Sequence, residues 1–151
     1  MLARLRALVD TNAFISYLLS RAPETSAIGA ILAAAAAGRF TLLFTPGVAD
    51  EIRTTIAARP DLSAKISATD IDTLLTTLDT LAEAIPRIEE ELPRIGRDPK
   101  DDYLIAHAAV ASADYLVSWD FDLRDLVQIA GVKLVSPPEF LGVLREAGLV
   151  P

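Results

Sequence analysis

The sequence predicts an α/β fold in which helices cover both faces of a mainly parallel sheet, and two observations carry this prediction. Short aliphatic runs at residues 4–9, 40–44, 115–117 and 133–135 have the length and composition of buried strands, with residues 84–88 as a weaker candidate. Segments of helical periodicity lie between most of these runs. Strands that alternate with helices are typical of parallel sheets buried on both faces.

Three of the helices are predicted from their end signals. Residues 13–19 and 25–37 place apolar side chains at helical spacing, and the second segment ends at Gly38, a residue typical of helix C-termini. A third helix is expected to begin at Thr69-Asp70-Ile71-Asp72, whose residue types resemble a capping box.

Three other helices are expected to begin with a capping residue followed by proline at the first helical position. The pairs are Thr45-Pro46, Asp98-Pro99 and Ser136-Pro137. The apolar positions expected to be buried are Val48, Ile52 and Ile56, then Ile71, Leu74, Leu75, Leu78 and Leu81, and then Leu104, Ile105, Ala108 and Ala109.

Composition narrows the class of protein. A chain of 151 residues that is 52% hydrophobic is expected to fold as a single domain spanning residues 1–151. The absence of cysteine excludes disulfides, zinc–thiolate sites and thiol catalysis. No run approaches the ~20 apolar residues of a membrane span, and the N-terminus is a poor signal peptide. We therefore expect a cytoplasmic protein that makes no membrane contact.

Charge and histidine content restrict the chemistry. The formal net charge is −7, from 14 basic and 21 acidic residues, which is unusual for a protein that binds nucleic acid through its surface charge. His107 is the only histidine, so a histidine-rich metal site is excluded. Any bound metal would have oxygen ligands, which favours magnesium or manganese over zinc.

Four acidic residues from separate segments are the candidate site. Asp10 ends the first strand, Glu51 lies about two turns into the helix after the second, and Asp120 follows the strand at 115–117. The fourth acid lies in the helix that begins after Asp98. The carboxyl ends of parallel strands meet at one edge, and a like-charge pair at 4 Å costs about 1–4 kcal/mol. A divalent cation would relieve this repulsion, activate water and stabilise charge on a phosphoryl group.

The fourth acid is selected by helix geometry. Asp98 is best explained as an N-cap, and Asp101 lies three residues later, where it can close a capping box. Asp102 has no capping role and shares a face with Ile105, Ala106 and Ala109. Asp102 is therefore the preferred ligand, with Asp101 in reserve.

Other polar residues near these acids have a functional and a structural interpretation. Asp120 is preferred over Asp122 because it is nearer the strand end, and Asp122 is either an outer ligand or a cap. Thr11, Asn12 and Ser118 either hydrogen-bond the ligand carboxylates or cap local turns.

Aromatic and basic residues near the acids also have two interpretations. His107, in an alanine-rich helix, is better explained as structural than catalytic, and Trp119 either stacks on a base or packs in an interface. Arg94, Arg97 and Lys100 form a basic stretch that either meets phosphate or is solvated.

Together these motifs resemble the PIN-domain family. The resemblance rests on Val9-Asp10-Thr11-Asn12, on Glu51 after Thr45-Pro46, on Asp102-Tyr103-Leu104-Ile105-Ala106, and on Leu116-Val117-Ser118-Trp119-Asp120-Phe121-Asp122. It extends from Asp10 to about Pro138, and the stretch from Asp98 to Asp102 is most similar to a VapC-like branch of toxin–antitoxin components.

The resemblance implies a three-layer α/β/α sandwich and a magnesium- or manganese-dependent endoribonuclease. It implies an acidic site at Asp10, Glu51, Asp102 and Asp120, with Asp122 as a further candidate. It also implies an RNA substrate, a homodimer and a cognate antitoxin protein that blocks the site. Trp119 departs from the family pattern, which often has a small, polar or basic residue at this place.

Two other functions remain open at this stage. An aspartate that ends a first strand also serves as the nucleophile of phosphotransferases, although these usually have a second Asp two residues later, where this chain has Asn12. The alternative is a non-catalytic PIN-like binding module that retains the acids without using them.

Overall fold

The computed structural model describes residues 4–90, 92, 98–129 and 131–151. Its strands are β1 (Arg6–Val9), β2 (Thr41–Phe44), β3 (Glu83–Ala84), β4 (Tyr115–Val117) and β5 (Lys133–Val135). They form one sheet in the order β3-β2-β1-β4-β5, and every adjacent pair is parallel. The predicted mainly parallel sheet is confirmed.

The helices cover this sheet, which gives the three-layer α/β/α arrangement. They are α1 (Thr11–Leu19), α2 (Ala27–Ala36), α3 (Pro46–Ala58), α4 (Pro60–Ser63), α5 (Ala68–Leu81), α6 (Pro99–Val110), α7 (Arg124–Ile129) and α8 (Pro137–Glu146), with short 3-10 turns at Pro23–Thr25 and Phe121–Leu123. None of the helices in the described ranges is long and apolar enough to cross a membrane.

The order of the strands reverses beside β1. From β1 the chain builds β2 and β3 on one side, and it then crosses to build β4 and β5 on the other side. Leu8 pairs with Leu43 of β2, whereas Val9 pairs with Val117 of β4. In open parallel sheets, the carboxyl ends of the two strands at such a reversal border a crevice in which ligands bind.

The sheet is buried because its strands are apolar on both faces. In the central strands, Leu8 and Leu43 on one face and Leu42 and Val117 on the other are fully inaccessible to solvent, as expected for strands covered by helices on both sides. Helix α8 closes one side with Phe140, whose ring packs edge-on against Phe40 with 5.1 Å between ring centroids.

Several predicted helix starts agree with the structure. The Thr45 hydroxyl accepts a hydrogen bond of 3.1 Å from the Val48 N–H, and Pro46 is the first residue of α3. The predicted stripe of Val48, Ile52 and Ile56 is buried. Asp98 and Ser136 also cap helices that begin with proline, as predicted.

Three helix boundaries and one strand differ from the prediction. Helix α1 begins at Thr11, two residues before the predicted start, because Asp10 is its N-cap. Helix α2 begins after Ser26, whose hydroxyl accepts from the Gly29 N–H, so the start predicted at residue 25 was too early. Helix α5 begins after Ser67, which forms a capping box with Asp70, so the start predicted at Thr69 was too late. The strand predicted at 84–88 is only Glu83–Ala84, because Pro86 has no N–H with which to continue the ladder.

His107 lies on the buried face of helix α6. His107 is fully buried, its Nδ1 lies 2.8 Å from the Tyr103 carbonyl, and its Nε2 accepts a 3.2 Å hydrogen bond from the Ile88 N–H. These partners require a neutral imidazole whose proton is on Nδ1. Ala109, predicted to be buried, is exposed instead, because His107 and Ala108 occupy the buried face.

Acidification should destabilise the fold through His107. Burial lowers the pKa of His107 below its ordinary value, with a smaller contribution from the charge of Arg87. The imidazole of the unfolded chain therefore binds a proton near pH 6.5, whereas that of the folded chain binds one only at lower pH. The free energy of unfolding then decreases as the pH falls below about 6.5. We expect the free energy of unfolding of the wild type to fall more steeply than that of His107→Gln between about pH 7 and pH 5. Parallel slopes in urea titrations would contradict this.

Candidate functional site

Asp10 anchors the site at the carboxyl end of β1. Its backbone N–H donates to the Val117 carbonyl at 2.9 Å, which extends the pairing of β1 with β4 by one residue. Its side chain caps α1 because Oδ1 accepts from the Thr11 N–H at 2.7 Å. The other oxygen, Oδ2, accepts from the Ser118 hydroxyl at 2.8 Å. Both carboxylate oxygens are thus held by the two strand ends.

Asn12 and Ser118 connect the segments after β1 and β4. The Asn12 amide nitrogen lies 3.1 Å from the Ser118 hydroxyl and 3.3 Å from Asp10 Oδ2. The Asn12 amide oxygen accepts from the Trp119 N–H at 3.2 Å. The Ser118 hydroxyl in turn accepts from the Asp120 N–H at 3.0 Å. These contacts fix the backbone that carries Asp120 relative to Asp10.

The side chain of Glu51, on α3, contacts the start of α1 beside Asp10. Thr45 and Pro46 start this helix at the end of β2, and Glu51 lies on its second turn. The Thr11 hydroxyl donates a 3.1 Å hydrogen bond to Glu51 Oε2, so a single short side chain spans the gap between α1 and α3. Thr11, like Asn12 and Ser118, therefore contacts a candidate acid directly.

The first turn of α6 contributes the next acid. Asp98 caps this helix by accepting from the Lys100 N–H, and the Asp101 N–H donates to the Asp98 carbonyl. Asp101 is partly exposed and lines the cavity between the four segments. Asp102 is only 2% exposed and is not among the residues that line that cavity in the described part of the chain. In this structure Asp101 is therefore better placed than Asp102, the preferred choice from sequence.

Asp120 completes the group after β4. It caps the short turn at Phe121–Leu123, and its Oδ1 accepts from the Asp122 N–H at 3.1 Å. Asp120 lines the cavity, whereas Asp122 is exposed and is not among the lining residues that the structure describes. The geometry therefore agrees with the preference for Asp120 over Asp122.

These four segments enclose a cavity of about 310 Å³. Most of the side chains that line it are polar, and the basic side chains of Arg59 and Lys100 lie among the acidic ones. The lining residues are Asp10, Thr11, Asn12, Ile15, Glu51, Thr55, Arg59, Asp98, Lys100, Asp101, Leu104 and Asp120.

The pKa values of Asp10 and Asp101 are raised in the folded protein. Burial raises the pKa of Asp10 to about 6, and the charges of Glu51 and Asp101 add to the rise, while the hydrogen bonds from Ser118 and Thr11 oppose it. Burial also raises the pKa of Asp101, with further contributions from Asp98, Asp120, Asp102 and Glu51. Asp10 and Asp101 therefore both lie within electrostatic reach of other acids of the group.

The donor chemistry fits a hard divalent cation. The candidate ligands are all carboxylate oxygens, the donors that magnesium and manganese prefer. Among the side chains in the described ranges, no group of three acids or histidines is close enough to enclose one ion. The donor types therefore suit such a cation, but the described side chains do not by themselves form a complete set of ligands.

Sequence reasoning missed Arg59 and Thr55, which both line the cavity. Thr55 follows Glu51 by four residues on the same face of α3, and this spacing was the available signal. Arg59 follows the last residue of α3 in an extended conformation, which the helical spacing does not predict. Of the predicted basic stretch, Lys100 lines the cavity, whereas Arg94 and Arg97 lie outside the described residues.

The sequence model of the PIN-domain family matches residues 6–122. This range is most of the chain and includes every candidate acid. The chain therefore belongs to the PIN-domain family. A search of curated protein sequences returned no match.

Solved structures share the fold at low sequence identity. A PilT N-terminus domain protein from the hyperthermophilic archaeon Sulfolobus solfataricus is 18% identical, with a TM-score of 0.55 and 92% of each chain covered. VapBC2 from Rickettsia felis, bound to a DNA fragment from its promoter, is 17% identical, with a TM-score of 0.57 and coverage of 87% of this chain and 98% of that one. A domain of a functionally unknown protein from Methanocaldococcus jannaschii is 14% identical, with a TM-score of 0.55 and coverage of 89% and 91%.

Removing the charge of Asp10 should stabilise the protein in the absence of divalent cations. The unfolded chain releases the Asp10 proton near pH 4, whereas the folded chain retains it until about pH 6. Stability is therefore lost as the pH rises through this window and stays lost above it. With a chelator at about pH 8, we expect Asp10→Asn to unfold with a free energy about 1–3 kcal/mol higher than the wild type.

The control for this measurement is Asp79→Asn, which neutralises an exposed acid on α5. It should match the wild type at both pH values, and the advantage of Asp10→Asn should disappear near pH 4. An Asp10→Asn variant that is no more stable than the wild type at high pH would show that Asp10 is not electrostatically strained.

Proposed function

We propose that this protein is a magnesium- or manganese-dependent endoribonuclease. The observation that carries the proposal is the convergence of Asp10, Glu51, Asp101 and Asp120 from four separate segments around one cavity. Membership of the PIN-domain family supports a nuclease. The metal requirement and the RNA substrate are proposals that rest on the oxygen donors and on the family resemblance.

The hydrogen bonds of the site assign a task to each acid. Asp10 is fixed through both oxygens, which suits a ligand that must keep one orientation. Asp120 is held in place through the Ser118 hydroxyl. Glu51 makes its hydrogen bond through Oε2 to Thr11, and we assign to it the positioning of the attacking water.

The reaction would be hydrolysis by in-line attack on phosphorus. A bond forms between the water oxygen and phosphorus, and a nearby carboxylate takes the proton from water. The bond from phosphorus to one ribose oxygen breaks, and that oxygen leaves with the bonding electron pair and takes up a proton to become a hydroxyl. A divalent cation bound by these acids would lower the pKa of water and stabilise charge on the phosphoryl oxygens. Lys100 lines the same cavity and supplies a positive charge for phosphate.

Asp10→Asn should abolish RNA cleavage and leave the fold intact. Loss of a residue that only orients a ligand typically lowers metal affinity or activity about 10–100-fold, so the loss of a ligand should exceed about 100-fold. The measurement is cleavage of a labelled RNA in manganese, with Asp79→Asn purified in parallel as the control. Full activity of Asp10→Asn, purified free of contaminating nuclease, would refute the assignment.

Two matched variants test whether Asp101 or Asp102 is the fourth acidic residue of the proposed metal site. Because Asp101 lines the cavity, we expect Asp101→Asn to weaken manganese binding in calorimetry about 10-fold or more and to leave the thermal midpoint unchanged or higher. Asp102→Asn, at a position that is buried, should retain manganese binding. The opposite result would restore Asp102, the choice favoured by the sequence, as the ligand.

We further propose that the protein is the toxin of a toxin–antitoxin pair and acts as a homodimer. The fold shared with the VapBC2 complex of Rickettsia felis and the resemblance of residues Asp98 to Asp102 to toxin components support this proposal. An antitoxin protein would inhibit the enzyme by covering the acidic cavity.

The two alternative functions make different predictions. A non-catalytic binding module would remain folded but bind no manganese and cleave no RNA. A phosphotransferase would form a covalent phosphate on Asp10, which mass spectrometry of the protein would detect. At the position where such enzymes often place a second acid, Asn12 contacts Asp10, Ser118 and Trp119. This network favours the nuclease.

A further inference from the structure

A tyrosine on α6 contacts the first turn of α3. The Gly47 N–H donates a 2.9 Å hydrogen bond to the Tyr103 hydroxyl. Gly47 lies four residues before Glu51 on α3, and Tyr103 lies two residues after Asp101 on α6. The contact therefore joins the two helices that carry Glu51 and Asp101, within about one turn of each acid.

The Tyr103 hydroxyl completes the capping of α3. The first N–H groups of a helix have no acceptor inside the helix. At the start of α3, Pro46 has no N–H, and the Thr45 hydroxyl accepts from the Val48 N–H at 3.1 Å. The donor between them, the Gly47 N–H, has Tyr103 as its acceptor. One of the caps of α3 is thus supplied by α6.

The close approach of the two helices requires glycine at position 47. Gly47 is helical and is not among the described glycines with positive φ, so its backbone conformation does not require glycine. A β-carbon at this position would instead overlap the Tyr103 ring. Any larger residue would displace the ring or move the helices apart.

The Tyr103 ring is also held by its own helix. It stacks on the imidazole of His107, with 3.9 Å between ring centroids and 27° between the ring planes. His107 is fully buried and is fixed by the Tyr103 carbonyl and the Ile88 N–H. The phenol therefore has little freedom to follow Gly47 if α3 moves.

From these contacts we propose that Tyr103 is a positioning residue that sets the spacing between Glu51 and Asp101. The inference rests on the proposed function, in which both acids belong to one metal site. Tyr103 is not among the described residues that line the acidic cavity, whereas both acids are. It therefore acts on the acids through the helices that carry them, and it is not a catalytic residue.

A double-mutant cycle in a chelator tests the contact without metal. Gly47→Ala should lower the thermal midpoint of the wild type, because the added methyl group meets the Tyr103 ring. In a Tyr103→Ala background the same substitution should leave the midpoint unchanged or raise it, because alanine favours a helix more than glycine does. Equal decreases in the two backgrounds would overturn the proposal.

Tyr103→Phe supplies the same test if Tyr103→Ala does not fold, because phenylalanine keeps the ring and removes only the hydroxyl. Hydrogen exchange of the Gly47 amide should then be about 2- to 10-fold faster than in the wild type, as expected for the loss of one hydrogen bond. An unchanged exchange rate would contradict the role of the hydroxyl.

Manganese binding, measured by calorimetry, tests the positioning of the acids. Tyr103→Phe should bind manganese about 2- to 10-fold more weakly than the wild type. Excess manganese should restore its cleavage of RNA, because the ligands themselves are intact. The matched control, Tyr115→Phe, removes the hydroxyl of a tyrosine at the amino end of β4 and should bind like the wild type.

A second control separates positioning from stability. Phe140→Leu alters the fully buried ring of α8 that packs against Phe40 and Tyr115. It should lower the thermal midpoint and leave manganese affinity unchanged. An equal loss of affinity in Phe140→Leu and Tyr103→Phe would assign Tyr103 a merely structural role and overturn the inference.

The outcomes distinguish this inference from the proposed function. A wild type that binds no manganese would reject the proposed metal site, while the double-mutant cycle would still decide whether Tyr103 couples the two helices. Unchanged affinity of Tyr103→Phe, in a protein whose wild type binds manganese, would reject the positioning role alone.

Discussion

The site depends on one constraint, which is the parallel pairing of β1 with β4 at the point where the strand order reverses. Val9 and Val117 are paired, so the residues that follow them leave the sheet side by side. Asp10 and Ser118 must then meet, although 108 positions separate them in the sequence. No helix connects these two strand ends directly, which leaves the crevice between them open to ligands.

This constraint creates an electrostatic conflict that the fold only partly resolves. Hydrogen bonds from Thr11 and Ser118 favour the ionised form of Asp10, yet burial outweighs them and raises its pKa. A protein selected only for stability would replace such an acid with a neutral residue, because a buried charge without compensation is unfavourable. The cation that we propose as a ligand would make the ionised state of these acids favourable.

Local signals in the sequence were sufficient for most of the fold. Aliphatic runs identified the strands, and the pairs that combine a cap with proline fixed the starts of α3, α6 and α8. The errors arose where two capping residues compete within a few positions. Ser26 and Ser67 act as caps because their hydroxyls accept from the N–H three residues later, a geometry that composition alone does not reveal.

The face of α6 could not be predicted, for a different reason. The alanines of this helix offer a weak apolar contrast, and they suggested a stripe that ran through Ala109. His107 instead faces the interior because the Ile88 N–H, in a segment far away in sequence, supplies its second hydrogen bond. The predicted Leu104, Ile105 and Ala108 are buried as expected, and His107 lies on that face in place of Ala109.

The two acids at the start of α6 differ in exposure. Leu104 lines the cavity and follows Asp101 by three residues, so the two side chains lie on one face of the helix. Asp102 is buried and is not among the described residues that line the cavity.

The acidic character of the chain limits the contacts on which the proposed function can depend. Among the described residues, Arg59 and Lys100 line the cavity, but Arg59 also pairs with Asp61 at 2.7 Å. A net charge of −7 gives little general attraction for a polyanion. The nuclease that we propose would therefore depend on a cation shared by the acids and the phosphate, because such a cation supplies the attraction that the net charge does not.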